Sequence, residues 1–344
     1  MIRVGGAYGR RVTSGLVDAS AAGTWRLGDR MVNRMGFGSM RLTADPDTEV
    51  AIRVLRRAVE LGVDHIDTAT FYCSPGGIID VGPGPVRHAT ELIRVALRAY
   101  RNRVVIATKV GPVRLPDGRW GAADTPERLR GQVEENLRRL GVATLDLVNL
   151  RITRHVAVPF AERFGALAAM RSEGLIRNLG LSNVGLAQLD EAMRIAPVSC
   201  VQNAYSVDVR GDDELLRVCG ERGIAFVPFF AIAGTRREAG AARDQREAGA
   251  ARDQREAGAA RDRREAGAAG DRREAGAEGD RRAAAVGRVA ARHGASEHQV
   301  RLAWTLHQGP HVLAIPGTGD LTHLEQNIAA AALHLTETDL SDLA

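Results

Sequence analysis

Short apolar runs alternate along this chain with segments of helical periodicity, and nearly every run ends on a polar or charged residue. Runs at 35–40, 63–68, 104–109, 145–150, 176–181, 199–202, 225–229 and 312–316 read as strands. Between them, 48–61, 90–100, 126–140, 160–172, 186–194 and 213–222 carry helical patterns. Thr125-Pro126 supplies an N-cap with proline at the first helical position, and Gly141 follows the last turn of that helix. Eight strands, each followed by a helix, predict an α/β fold, a (β/α)8 TIM barrel. In such a barrel the chemistry sits at the C-terminal ends of the strands. There the sequence puts Asp67 and Tyr72, Lys109, Arg151, Ser182-Asn183, Gln202-Asn203 and Gly317-Thr318.

Three segments stand outside the alternation. Residues 1–23 lack the continuous apolar block of a signal peptide and read as a disordered extension ahead of a barrel at 24–344. Residues 24–34, centred on Gly28-Asp29, read as an N-terminal hairpin. Residues 237–281 are five nonapeptides of the Arg-Glu-Ala-Gly-Ala-Ala-Arg-Asp-Gln type, with eleven Arg against eleven Asp plus Glu. Alanine is their only apolar residue, so they bury too little surface to offset the entropy of ordering. They read as a solvated, partly helical low-complexity insertion after the seventh strand.

The chain of 344 residues has a net charge of +5 but no basic block interleaved with aromatics, so nucleic-acid binding is not expected. No run reaches the roughly 18 apolar residues of a membrane span. Three widely spaced cysteines, Cys73, Cys200 and Cys219, form no metal or disulfide framework and fit a reducing cytoplasm. Neither a metal site nor an obligate protein partner is expected. Cys73 adjoins Tyr72 and reads either as a reactive thiol or as a spectator.

A phenol, an ammonium and a carboxylate at neighbouring strand ends make a proton donor. An adjacent cation favours the phenolate, so Lys109 is expected to lower the Tyr72 pKa, with Asp67 holding the lysine in place. The run Asp67-Thr68-Ala69-Thr70-Phe71-Tyr72, with Thr108-Lys109 downstream, resembles the aldo-keto reductase superfamily over about residues 24–235 and 283–340. The resemblance implies a hairpin plugging the barrel floor and reduction of an aldehyde or ketone by hydride from a nicotinamide. Tyr72 is then the acid, and Lys109 and Asp67 are its partners. It also implies that Ser182, Asn183 and Gln202 bind the nicotinamide carboxamide and that Phe229 stacks on the ring. Gly317, Thr318, His323, Gln326 and Asn327 fall in the segment that resembles the adenosine-phosphate site.

The expected cofactor is NADP, with NAD possible, since Thr318 and His323 are weaker partners for a 2′-phosphate than the family's usual basic residues. No Gly-x-Gly-x-x-Gly strand–helix unit supports a Rossmann domain. The sequence departs from the family at Arg151, which stands where a histidine is usual; His155 follows four residues on. Arg151 can orient a carbonyl, lower the Tyr72 pKa further, or hold an acidic substrate group bidentately. A loop at 73–81 follows Tyr72; it either extends the rim of the pocket or displaces the tyrosine. The rival reading is a nicotinamide-nucleotide-binding sensor barrel with little or no turnover.

Overall fold

The computed structural model describes residues 17–81, 84–153, 157–232 and 279–344. Seven parallel strands pair in chain order: β1 Phe37–Gly38, β2 His65–Asp67, β3 Val105–Val110, β4 Leu145–Arg151, β5 Ile176–Ser182, β6 Cys200–Gln202 and β7 Ala225–Phe226. An eighth stave, residues 312–314, joins the two edges through parallel bridges Phe226↔Val312 and Met35↔Ala314. Leu313 N–H donates to Phe226 O at 2.9 Å and Gly36 N–H to Ala314 O at 2.8 Å. The barrel is therefore closed, which removes the exposed sheet edges.

The helices pack outside this ring. They are α1 Thr48–Glu60, α2 Ala89–Ala96, α3 Pro126–Leu140, α4 Phe160–Ser172, α5 Leu186–Ile195 and α6 Asp213–Glu221, then α7 Glu297–His307, α8 Leu321–Ala329 and α9 Glu337–Asp342. Local signals set several ends. Asp47 accepts from Glu49 N at 2.9 Å to start α1, and Thr125 accepts from Arg128 N at 3.3 Å to start α3. Gly141, at φ 65°, ends α3 in the left-handed conformation.

Several strands are shorter than the sequence reading, the first being Phe37–Gly38 rather than 35–40, and two differences have a clear local cause. The helix expected over 90–100 stops at Ala96, because the chain tightens there: Tyr100 N–H bonds Leu97 O and Arg103 N–H bonds Tyr100 O. The seventh strand ends at Phe226 because Pro228 has no N–H for the ladder. Val227 and Phe229 still donate to Val201 and Asn203 of the neighbouring stave.

The N-terminal hairpin pairs Thr24–Leu27 with Arg30–Asn33 across Gly28-Asp29. Gly28 has φ 67°, and a Cβ there would lie 2.4 Å from the Asn178 side chain, so the turn and the docking both require glycine. Leu27 and Val32 are buried against Val105, Leu147, Ala225 and Leu313, from the start of four staves. The hairpin thus closes the barrel floor. Leu27→Ala leaves a void there and is expected to cost about 2–5 kcal/mol. Urea unfolding checks this: the midpoint should fall with an unchanged slope.

Residues 17–23 correct the boundary set for the disordered extension. Asp18 accepts from Ser20 N at 2.8 Å, Ala19–Ala22 form a 3₁₀ turn, and Ala19 is buried with its N–H on Leu61 O. The rest of that extension, residues 1–16, lies outside the described residues, as do His155 and 233–278, which hold nearly all of the repeat. Residues 279–293, at the repeat's end and beyond it, are helical. No helix among the described residues is long and apolar enough to cross a membrane.

Candidate active site

Barrel register aligns the polar strand ends in rows. Arg151 pairs with Ser182 and Ser182 with Gln202; Lys109 pairs with Asn149 one step below. Asp67 closes β2 beside Ala107. Inward-pointing side chains from these rows meet at the C-terminal mouth.

Lys109 is 1 % exposed, and its Nζ donates to both Asp67 carboxylate oxygens at 2.7 Å and to Thr68 O at 3.1 Å. The same nitrogen lies 4.6 Å from the Tyr72 ring centroid. Gln202 Nε2 donates to Asp67 Oδ1 at 2.9 Å, so the carboxylate is held from two sides. Behind it, Asn149 Nδ2 reaches Gln202 Oε1 at 3.5 Å, and Cys200 Sγ donates to Asn149 Oδ1 at 3.1 Å. Burial pushes the Cys200 thiol far up, so it is an inert hydrogen-bond donor. Burial also raises Cys73, which favours the spectator reading over a reactive thiolate.

The Tyr72 ring is fixed by packing. It meets Phe71 edge to face at 5.3 Å and is buried with Ala69 and Ala89. The expected lowering of its pKa does not hold: the phenol is raised, because burial outweighs the opposing pull of Lys109 and Arg151, and Asp67 adds to the rise. Burial alone would depress Lys109, but Asp67 and the phenol outweigh it and the ammonium is raised. Tyr72 therefore stands as a protonated phenol beside the charged Lys109 ammonium, which is a proton-donating state.

Loop 73–81 does not displace Tyr72. Cys73–Ser74 pairs antiparallel with Arg87–His88, the Ser74 hydroxyl bonds Ile79 O, and Gly76 N–H bonds Asp80. Gly77 packs so close that a Cβ would sit 2.1 Å from Cys73 O. Ile78 and Ile79 become rim residues of the cavity.

That cavity, about 1050 Å³, is walled by Asp67, Tyr72, Arg151, Phe229, Gly317, Thr318, His323, Gln326 and Asn327 among others. Lys109, Ser182, Asn183 and Gln202 stand behind or beside the wall and do not line it. Ser182 accepts from Arg151 Nη1 at 3.2 Å, and Gln202 is engaged with Asp67. Asn183 is exposed in the left-handed region (φ 60°), its N–H on Gln202 O at 3.2 Å.

At the other end Gly317 is required, since a Cβ would lie 2.4 Å from Gly38 O. Thr318 accepts from Asp320 N at 3.0 Å, and Asp320 caps α8 through His323 N at 2.8 Å. Ile78 and Ile79 line the cavity as the rim-extending reading of loop 73–81 expects, whereas the sequence did not point to Met40, Arg41 or Arg301 as wall residues. Arg301 was the findable one: it sits amid the apolar run of α7, 4 % exposed, and is paired with Asp208.

The chain is similar to known proteins over nearly its whole length. Residues 34–344 match the Aldo/keto reductase family. The chain is 36 % identical over 335 residues to pyridoxine 4-dehydrogenase of Escherichia coli (strain K12), covering 94 % of this chain and 98 % of that one. It is 35 % identical over 335 residues to an uncharacterized oxidoreductase of Schizosaccharomyces pombe, covering 95 % and 90 %. Among solved structures, an aldo/keto reductase from Klebsiella pneumoniae, determined with NADP and acetate, superposes with TM-score 0.67 at 25 % identity, covering 93 % of each chain.

Proposed function

This chain belongs to the aldo/keto reductase family, a family of NAD(P)H-dependent oxidoreductases, and from that premise we propose that it reduces an aldehyde or ketone to an alcohol with NADP(H), Tyr72 acting as general acid. The observation that carries the reading is Lys109, which bonds both Asp67 oxygens and stands over the Tyr72 ring at the wall of a large cavity.

The residues present fit a dinucleotide. One cavity of about 1050 Å³ joins the Tyr72–Arg151–Phe229 end to the Gly317–Asn327 end, and Gly38 and Gly317 both line it. NADPH, when bound, supplies the hydride. Phe229 would hold the ring face and Asn183, exposed beside the wall, the carboxamide, with Ser182 and Gln202 joining it on exchange of their bonds to Arg151 and Asp67; Gly317, Thr318, His323, Gln326 and Asn327 would hold the adenosine phosphate. Within the chain, Tyr72 gives its proton to the carbonyl oxygen, while Lys109 and Asp67 hold the phenol's electrostatic surroundings fixed. Arg151 orients the carbonyl by donating to the same oxygen. The three free thiols suit a reducing, cytoplasmic setting.

The test is purified protein with NADPH and a panel of aldehydes, followed by cofactor absorbance. Pyridoxal comes first because the E. coli relative is named a pyridoxine 4-dehydrogenase. Turnover supports the reductase; tight NADPH binding without turnover on any carbonyl supports a sensor barrel instead. The pH dependence has a definite sign. Reduction needs the protonated phenol, and burial raises its pKa above the ordinary value of about 10, so the reduction rate should stay flat up to about pH 9. Alcohol oxidation needs the phenolate and should climb with pH over the same interval. A reduction rate that falls between pH 6 and 8 contradicts this assignment.

A further inference from the structure

Arg151 occupies an unusual electrostatic position. It ends β4, lines the cavity beside Tyr72, and its Cζ sits over the Phe229 ring at 4.9 Å. Among the described residues its hydrogen bonding amounts to one contact, Nη1 to Ser182 Oγ at 3.2 Å, and no carboxylate pairs with it. The nearest acidic groups that act on it are Tyr72 and Asp67, and both Asp67 oxygens are already taken by Lys109. Two cations, Lys109 and Arg151, thus face a single carboxylate, and most of the guanidinium's N–H fork is left unbonded at the cavity wall. A part-buried cation with spare donors at a cavity wall is a ready partner for an anion that supplies the missing acceptors.

We propose that the substrate brings that anion: a carbonyl compound with a second, ionised oxygen within chelating distance of its carbonyl oxygen, gripped by Arg151. The proposal rests on the reductase reading and narrows its substrate class. A 2-oxo acid and a 2-hydroxyaryl aldehyde share this chemistry. In either, the guanidinium fork spans the oxyanion and the carbonyl oxygen, the planar two-point contact that arginine makes well and lysine makes poorly. The oxyanion is a spectator in the reaction. Hydride adds to the carbonyl carbon, the carbon–oxygen π bond breaks, the Tyr72 proton goes to the carbonyl oxygen, and NADP⁺ and the alcohol leave. Ser182 holds the guanidinium at its rear and Phe229 supports its face, so Arg151 sets specificity and orientation together. The choice of arginine over a neutral donor at this strand end then has a physical cause.

The experiment compares kcat/KM for 2-hydroxybenzaldehyde with its 4-hydroxy isomer and with 2-methoxybenzaldehyde, and for phenylglyoxylate with acetophenone, at saturating NADPH. A charge-assisted two-point contact corresponds to a preference of about 10- to 100-fold for at least one oxyanion substrate, carried largely by KM. Which pair shows the preference identifies the source of the oxyanion. In Arg151→Gln both members of that pair lose activity, but the oxyanion member loses more, and the ratio falls to about twofold or less; Arg151→Lys keeps part of it. Ratios near one in the wild-type protein, or a preference undiminished in Arg151→Gln, overturn the proposal. The methoxy arm needs no variant and stands if the substitution impairs folding. Should no aldehyde turn over, the dissociation constants of the two hydroxybenzaldehyde isomers and of phenylglyoxylate and acetophenone, measured with NADP⁺ present, separate the two ideas. Tighter binding of the 2-hydroxy isomer or of phenylglyoxylate, lost in Arg151→Gln, sustains the oxyanion site while the reductase reading falls; equal binding within both pairs overturns the oxyanion site as well.

Discussion

Tyr72→Phe is expected to lower kcat for aldehyde reduction by about 10²–10⁴-fold, the range for loss of a positioned proton donor. That corresponds to about 3–5 kcal/mol of transition-state stabilisation. The substitution keeps the aromatic ring, and the ring is what packs against Phe71, Ala69 and Ala89. The fold should therefore persist, with Tm within a few degrees of the wild type and NADPH affinity little changed. Fluorescence titration with NADPH and a thermal melt, run beside the kinetics, check that the loss is chemical. A variant that keeps more than a tenth of wild-type kcat removes Tyr72 from the role of acid.

Lys109→Met is expected to damage both chemistry and stability. Lys109 bonds Asp67 on both oxygens at about 1 % exposure, and Asp67 itself is 4 % exposed. A buried pair of this kind is weak evidence of net stabilisation, because desolvation of both ions offsets their attraction. Removing one partner is different: it strands a buried carboxylate with Gln202 as its remaining side-chain donor, at a cost of about 3–5 kcal/mol. For a chain of this size the melting temperature should drop by on the order of 10 °C. Calorimetry on the full chain measures it. A Tm within a degree or two of the wild type would mean that Asp67 and Lys109 are hydrated in solution.

The barrel was legible because its signals are local or periodic. Helices α3 and α4 begin and end where the sequence puts them, at 126–140 and 160–172. For α3 this follows from Thr125, Pro126 and Gly141, which act through backbone geometry within a few residues. The early end of α2 was not legible, since the turns from Leu97 to Arg103 depend on how the chain enters β3. The meeting of Asp67 and Lys109 followed from strand alternation, because in a parallel barrel the last inward side chains of adjacent staves must converge, whereas Tyr72 joins them from a turn beyond β2 in which its N–H bonds Ala69 O. The direction of the Tyr72 shift did not follow. Charges can be read along a chain, but the burial that outweighs them is a property of the packed molecule. The same limit hid Arg301, which reaches the cavity from a helix more than two hundred residues away in the chain. Gln202 lies between these cases. Its position at the end of β6 was visible, whereas its bond to Asp67 depends on rotamers that no sequence pattern states.

A crystal structure of the protein with NADP and an unreactive carbonyl ligand bears most directly on the arrangement at the barrel mouth. The account predicts the nicotinamide against Phe229, with the ligand's oxygen within hydrogen-bond distance of the Tyr72 hydroxyl and the Lys109–Asp67 pair intact behind it. A ligand oxygen bound elsewhere, with the Tyr72 hydroxyl turned away from both the nicotinamide and Lys109, would contradict it.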